Sequence, residues 1–520
     1  MSRTSRARLT AVPRVSPASE TAALMAAPTV ELSVVETVEL TVEPMAELTV
    51  EPTAELTVEP TAEPTVAPTA EPTVEPTAEP TVEPTAEPTV AQIAEPTVAQ
   101  IAELMVEPMV GPTVAQMVAP FAEDSVLARL IAVDRGQFAR QFWGQQPLLS
   151  PAADLPAGFD QLLDANAIDE LVSKRGLRTP FLRVAKNGTT LVDKAFTSPG
   201  GVGAGIADQV NEDRLVQLFA EGSTLVLQAL HRVWPPVLAF CQKLAAELGH
   251  PVQANAYVTP PQNQGFSAHY DVHDVFVLQI EGEKQWRVHR PVLESPLRDQ
   301  PWNDRKSDVE QRAKEPPLIE AVLKPGDCLY LPRGYLHAAT ALGGVSTHLT
   351  LGIHVWTRYA LAQQLVEQAL RTLSDDPVIR ASLPLGVDVS DLNKMRPDFD
   401  VVTVILADAV RHADLDQMSE ALLQNSRLNQ RAAPIGPLKQ LRDSGALTAD
   451  TQIVLRQYLA ASLDHSGSLV LVRSRAGSLR VAEDDVGPLK ALLANGVATA
   501  GDLGMDLARR LLLAGLAVVE

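Results

Sequence analysis

Apolar and polar positions along the chain fall into distinct regimes. Across residues 31–120 a four-residue unit repeats, first as Glu-Leu-Thr-Val and later as Glu-Pro-Thr-Val or Glu-Pro-Thr-Ala. Proline at every fourth position removes a helix donor once per turn, and β-branched Thr and Val favour extended backbone. The first aromatic residue is Phe121. Without aromatics and with regularly spaced carboxylates, residues 1–123 are expected to be an extended, self-repelling, disordered tail. From about Asp124 the pattern is that of a globular protein. Phe138, Phe142 and Trp143, followed by Pro147 and Leu148-Leu149, predict a helix and then a strand. Residues 164–172 have helical spacing, residues 179–192 alternate as two strands about Asn187-Gly188, and residues 216–219 close another helix. Short alternating runs dominate residues 222–356, which points to an antiparallel β barrel or sandwich. Residues 359–373 and 401–423 return to helical spacing, with Leu361, Leu365, Ala369 and Leu373 along one stripe. Residues 431–520 alternate helices with strands at 468–472 and 478–481 about Ala476-Gly477, an order that looks like a winged helix.

Charge sharpens these boundaries. The 520 residues carry a formal net charge of −21, of which the first 123, with 19 Glu, no Asp and 4 Arg, supply −15. The tail reads either as a spacer or acidic docking arm, or as an expanded repeat ahead of an internal start such as Met105, Met109 or Met117. Residues 431–520 hold 10 basic and 9 acidic side chains. That balance argues against nucleic-acid binding by the last segment and for a structural or protein-docking role. The two cysteines, Cys241 and Cys328, have no metal partner at CxxC spacing and exclude a disulfide framework. A reducing compartment, the cytoplasm, is expected. No apolar run is long enough to cross a membrane, and Arg3, Arg6, Arg8 and Arg14 are not followed by a signal-peptide core. The glycine-rich run from Gly200 to Gly205 lacks the Lys-Ser/Thr ending of a phosphate loop and reads as a mobile loop.

The chemistry concentrates in Phe266-Ser267-Ala268-His269-Tyr270-Asp271-Val272-His273. On a strand, His269 and Asp271 share one face, which supplies two legs of a 2-His-1-carboxylate site for Fe(II) with positions left open. The third leg is expected 66 residues after Asp271, at His337, delivered by the turns of Pro325-Gly326-Asp327 and Pro332-Arg333-Gly334. His273 shares the strand face and could compete as a ligand or serve as a hydrogen-bonded support. His348 and His354 read as barrel residues. In Glu283-Lys284-Gln285-Trp286-Arg287-Val288, Lys284 lies on the apolar face of Trp286 and Val288. A lysine there must meet an anion, lose its proton or snorkel to solvent; the carboxylate of 2-oxoglutarate is the natural counterion beside an open iron site. Asn255 and Tyr257, alternating on the preceding strand, and Thr350 could add an amide, a phenol and a hydroxyl.

Together Phe266 to Asp271, the stretch Leu278-Gln279-Ile280-Glu281-Gly282-Glu283-Lys284-Gln285-Trp286 and Leu331-Pro332-Arg333-Gly334-Tyr335-Leu336-His337 resemble the JmjC-type cupin 2-oxoglutarate oxygenases, in particular the ribosomal oxygenase (ribosomal protein hydroxylase) branch. The resemblance covers roughly residues 124–520. It implies a mainly β double-stranded β-helix core at 124–358, an all-α dimerisation module at 359–430 and a winged-helix-like α+β domain at 431–520. It also implies Fe(II) at His269, Asp271 and His337, with 2-oxoglutarate as cosubstrate near Lys284, Tyr257 and Asn255. Gly352 departs from the small hydroxyl residue that the family leads one to expect. The expected activity is hydroxylation of a protein side chain, in a ribosomal protein, by a homodimer. Lysine demethylation, hydroxylation of a small molecule and non-catalytic metal binding are the alternatives. The four residues His269, Asp271, His337 and Lys284 argue against the last.

Overall fold

The computed structural model describes residues 125–520 except 187, 264, 265, 467 and 468. The expectations for the repeat tail and for Asn187 therefore fall outside the described residues. Strands β1 (Leu148–Ser150), β2 (Leu182–Lys186), β3 (Thr189–Thr190), β4 (Thr197–Ser198) and β5 (Gln209–Val210) open the chain, with helices α1 (Ala165–Lys174) and α2 (Glu212–Ala220) among them. Asp164 caps α1 and Asn211 caps α2, each side chain accepting a backbone N–H from the first helical turn. The cluster around Phe138 forms a short helical stretch over Arg135–Gln137 and Phe138–Phe142, ahead of β1 as its spacing implied. Residues 200–205 form an irregular loop between β4 and β5.

The centre is built by β6 (Thr224–Leu227), β7 (Val252–Thr259), β8 (Asp274–His289), β9 (Ile319–Leu323), β10 (Cys328–Leu331) and β11 (Leu336–Ile353), with helix α3 (Pro235–Leu248) between β6 and β7. All nine strands of the main sheet pair antiparallel, in the order β1-β10-β8-β11-β7-β6-β2-β3, with β9 on the far half of β8. The long strands β8 and β11 turn the sheet over on itself. β8 pairs with β10 through Val275–Leu278 and with β9 through Lys284–Val288, and its register with β11 shifts near Gly282. Gly282 has φ +65°, and a Cβ there would lie 2.1 Å from the Val345 carbonyl oxygen, so no other residue fits this bend. Alternation sorts β8: Val275, Val277, Trp286 and Val288 join Leu323, Leu329 and Leu331 in an inner cluster. Phe276 and Leu278 face outward into the large core built with the N-terminal helices.

The helices α4 (Arg358–Leu373), α5 (Leu392–Arg411) and α6 (Leu415–Asn429) follow. Here the expected stripe needs correction, because Ala369 and Leu373 are buried within the chain, and only its Leu361 end is exposed. Val366 and Leu370 of α4 are exposed off that stripe, and more apolar surface is exposed on α5, which has no buried residue and exposes Phe399, Val401, Val402 and Val404. The remaining chain forms an α+β unit with its own core around Ile453, Leu489, Leu507 and Leu511. Its elements are α7 (Pro437–Gly445), β12 (Gln452–Leu455), β13 (Ser462–Ser466), β14 (Leu469–Ser474), β15 (Gly477–Val481), α8 (Val486–Asn495), β16 (Val497–Thr499), α9 (Met505–Leu513) and β17 (Ala517–Val519). The strands make two three-stranded sheets, β16-β12-β17 and β13-β14-β15. Arg427, buried on α6, ties the helices to this unit by donating to the Ala460 carbonyl and the Ser462 hydroxyl while pairing with Glu420. Among the described residues no helix is long and apolar enough to cross a membrane.

Candidate functional site

His269 and His337 meet across an isolated antiparallel bridge, each backbone N–H donating to the other's carbonyl at 3.2 and 2.8 Å. The sequence reading placed His269 and Asp271 on a regular strand. In the structure β8 begins only at Asp274, because the Asp271 carbonyl accepts from Gly334 N–H and the segment leaves the ladder. The grouping survives this change: ligand atoms of His269, Asp271 and His337 all lie within 4.8 Å of one another. The His337 Nε2 is 3.8 Å from Asp271 Oδ2, and the two imidazole centroids are 4.5 Å apart.

Backbone carbonyls set the tautomers. His269 Nδ1 lies 2.8 Å from the Ser267 carbonyl oxygen and His337 Nδ1 lies 3.1 Å from that of Tyr335. Carbonyls only accept, so each Nδ1 carries a proton, and in the neutral imidazole it is Nε2 that presents the lone pair, the arrangement that metal-bound imidazole requires. Burial holds His337 down at about 4, with His269 reinforcing and Asp271 opposing the shift, so this imidazole is neutral at physiological pH. Burial pushes the Asp271 carboxyl upward, but the neighbouring His273, His337 and His269 outweigh it and hold it ionised below its ordinary range. Two imidazole nitrogens and one carboxylate on one side of an open space form a donor set suited to Fe(II).

A clamp on the outer side steadies both segments. Asp274, fully buried, accepts from the Tyr330 hydroxyl at 2.5 Å and from the Arg333 backbone and guanidinium at 3.2 and 3.3 Å. It stands three residues after Asp271, and Arg333 stands four before His337. Gly334, at φ +90°, has no room for a side chain, because a Cβ would sit 2.5 Å from the Leu293 carbonyl oxygen.

The triad opens into a cavity of about 230 Å³ whose walls include Lys284, Tyr257, Thr350, His348, Thr224 and Arg183. Lys284 is 3 % exposed, donates to Thr259 Oγ1 at 3.1 Å, and lies 3.4 Å from His348 Nδ1. No carboxylate pairs with it among the described residues, and burial lowers its ammonium to about 7. His348 stacks on Tyr257 at 4.9 Å with ring planes 4° apart. Burial raises the Tyr257 phenol to about 12, so it remains a hydrogen-bond donor.

Of the residues expected at this site, the structure brings together His269, Asp271, His337, Lys284, Tyr257 and Thr350. Asn255 shares their strand face but does not line the cavity, because its Oδ1 accepts the Ala229 N–H at 3.0 Å. Ala229 has φ 54°, and this acceptor helps to hold that turn. His273 is outside the triad, 3.3 Å from Gln253 Nε2. The departure at Gly352 has a steric cause: a Cβ there would come within 3.0 Å of both Gln253 and His273. His348, read from the sequence only as a barrel residue, lines the wall beside Tyr257 and Thr350, a place the period-two rule made legible in principle. Arg183, on β2, carries no local signal.

Residues 233–361 match the JmjC domain family, and residues 39–101 match the family described as PT disordered repeat. The first of these matches spans the segment that carries the triad. Around it, the chain is 28% identical over 278 residues to the bifunctional lysine-specific demethylase and histidyl-hydroxylase NO66 of Drosophila persimilis, covering 50% of this chain and 36% of that protein. It is 27% identical over 362 residues to ribosomal oxygenase 1 of Gallus gallus, covering 66% of this chain and 58% of that one. The chain thus spans between about a third and three fifths of the length of these two relatives. Among solved structures, the ribosomal oxygenase YcfD of Escherichia coli shares 16% identity at a TM-score of 0.43, over 75% of this chain and 98% of that one.

Proposed function

We propose that the protein is an Fe(II)- and 2-oxoglutarate-dependent dioxygenase that hydroxylates a side chain of a ribosomal protein. One observation carries the reading: an ionised carboxylate and two imidazoles with fixed Nε2 lone pairs share a cavity with a buried lysine that has no protein carboxylate. When bound, the iron and 2-oxoglutarate supply an oxidant able to take hydrogen from an unactivated C–H bond. The chain's residues do the rest. His269, Asp271 and His337 hold the metal on one side and leave the cavity side open. Lys284 anchors the distal carboxylate of the cosubstrate, Thr350 and the Tyr257 phenol donate to it, and His348 wedges Tyr257 in place. Val275, Val277 and Trp286 keep water from that wall. The names of the two relatives support a protein substrate, in keeping with the helical and α+β additions beyond the barrel.

The exposed apolar face of α5 suits a homodimer built through residues 359–430, and residues 431–520 suit a winged-helix-like docking domain. Buried, unpaired Cys241 and Cys328 accord with the cytoplasm. The test is incubation of the full chain with ribosomal proteins, Fe(II), ascorbate and 2-oxoglutarate, followed by mass spectrometry. Gain of one oxygen, about 16 Da, on a ribosomal protein is expected; loss of a methylene would establish demethylation instead, and no mass change with no succinate formed would refute the reading.

A further inference from the structure

The cavity holds a second cation that the chemistry above does not use. Arg183 is paired in register with Val226, Val226 with Tyr257 and Tyr257 with His348. Directly opposed residues of antiparallel strands project to the same face. At roughly 4.8 Å per strand, the Arg183 backbone stands about 10 Å from that of Tyr257. Only a long side chain reaches back from there to the cavity, and Arg183 lines it. Its Nε is buried without an acceptor, and among the described residues no hydrogen bond or ion pair engages the guanidinium. The other charged or ionisable groups of the wall are spoken for. Lys284 donates to Thr259, both ligand imidazoles donate to carbonyls, and Asp271 faces His337.

A buried guanidinium nitrogen without an acceptor is costly, so its acceptor comes from a ligand. The cosubstrate is already engaged at both ends in the proposed function, on which this argument rests: one at the metal, the other at Lys284. What remains is the substrate. Beside the metal ligands the wall includes Phe266 and Trp302, whose rings lie 6.0 and 6.3 Å from that of His269. Among the described residues Asp271 is the only carboxylate on the cavity wall, and it is committed to the metal. A cationic target side chain would therefore meet like charge from Arg183 and find no free counterion.

We propose that Arg183 is the specificity-determining residue of the substrate pocket, donating to an acceptor oxygen or nitrogen on an uncharged or anionic target side chain and excluding cationic ones such as arginine, lysine and methylated lysine. The planar fork of donors suits an acceptor at the pocket's edge, which a lysine at 183 would serve less well.

The test pans a displayed random peptide library against the full chain carrying Mn(II), with and without 2-oxoglutarate. Wild type is compared with Arg183→Met, Arg183→Lys and Arg183→Glu, and calorimetry measures 2-oxoglutarate affinity in each. Peptides captured by wild type should be depleted of Lys and Arg at the selected position. Arg183→Glu should reverse that preference at least tenfold and Arg183→Lys should keep it, while the Kd for 2-oxoglutarate stays within about twofold of wild type in Arg183→Met. The same preference in wild type and Arg183→Glu, or no selection by either, overturns the proposal. So does a tenfold loss of 2-oxoglutarate affinity in Arg183→Met, which would make Arg183 a cosubstrate ligand. Failure of wild type to bind 2-oxoglutarate strikes the functional reading instead, and panning on the Mn(II) form still decides the role of Arg183.

Discussion

At the scale of single residues, Lys284 shows how function opposes stability. An ammonium with an ordinary value of 10.5 is held at about 7 by burial, so between those values the unfolded chain binds a proton that the folded chain does not. Without cosubstrate, this residue therefore lowers stability as pH falls from 10.5 toward 7, by up to about 1.4 kcal/mol per unit. Lys284→Met should unfold at a higher temperature than wild type at pH 7, the gain shrinking at more alkaline pH, as a calorimetric melt in each buffer would show. The same substitution removes a charge-assisted contact of about 1.5–3 kcal/mol and should weaken 2-oxoglutarate roughly 10- to 150-fold. In wild type, binding the dianion draws a proton onto Lys284, so affinity should fall as pH rises above 7, by at most about tenfold per unit. A flat profile from pH 7 to 9 in titration calorimetry would contradict the anchoring role.

Elements explain what could be read in the sequence and what could not. Period-two alternation placed Lys284 beside Trp286, and Tyr257 and Thr350 toward the cavity, because β7, β8 and β11 are regular there. The same rule put Asn255 in that set. It failed at the side chain, since the left-handed turn at Ala229 captures the amide, and no pattern within β7 announces a partner 26 residues away. It also drew a strand through His269 and Asp271, where loop hydrogen bonds and the Asp274 clamp override strand propensity. Arg183 was invisible for a different reason: its place depends on strand order across β6 and β7, which is a property of the whole sheet. The clamp itself can be tested. Asp274→Ala leaves the Arg333 guanidinium buried without its carboxylate and should cost about 3–5 kcal/mol in denaturant unfolding. Metal affinity should fall with it, whereas Tyr330→Phe, which removes the hydroxyl that donates to Asp274 and accepts the Gly144 N–H but leaves Arg333 paired with Asp274, should cost less, about 1–3 kcal/mol. Equal effects of the two would show that Asp274 acts through something other than Arg333.

The whole molecule combines a self-contained barrel with helices whose apolar surface exceeds what the chain itself covers. A helix of 20 residues with none buried, exposing Phe399, Val401, Val402 and Val404, is unusual on a monomer. A chain starting at Asp124 should elute as a dimer in size-exclusion light scattering and retain cosubstrate turnover. Phe399→Glu combined with Val402→Glu should yield monomers that still bind metal; a wild-type monomer would defeat the dimer claim. Loss of turnover on removing residues 1–123 would assign the repeat a role in the chemistry.

The central claim is that His269, Asp271, His337 and Lys284 form one site for a divalent metal and 2-oxoglutarate. Calorimetric titration of 2-oxoglutarate into the Mn(II)-loaded full chain tests it most directly. One cosubstrate should bind per chain, with binding lost in Asp271→Ala and weakened at least tenfold in Lys284→Met. Binding of equal strength without metal, or in Asp271→Ala, would contradict it.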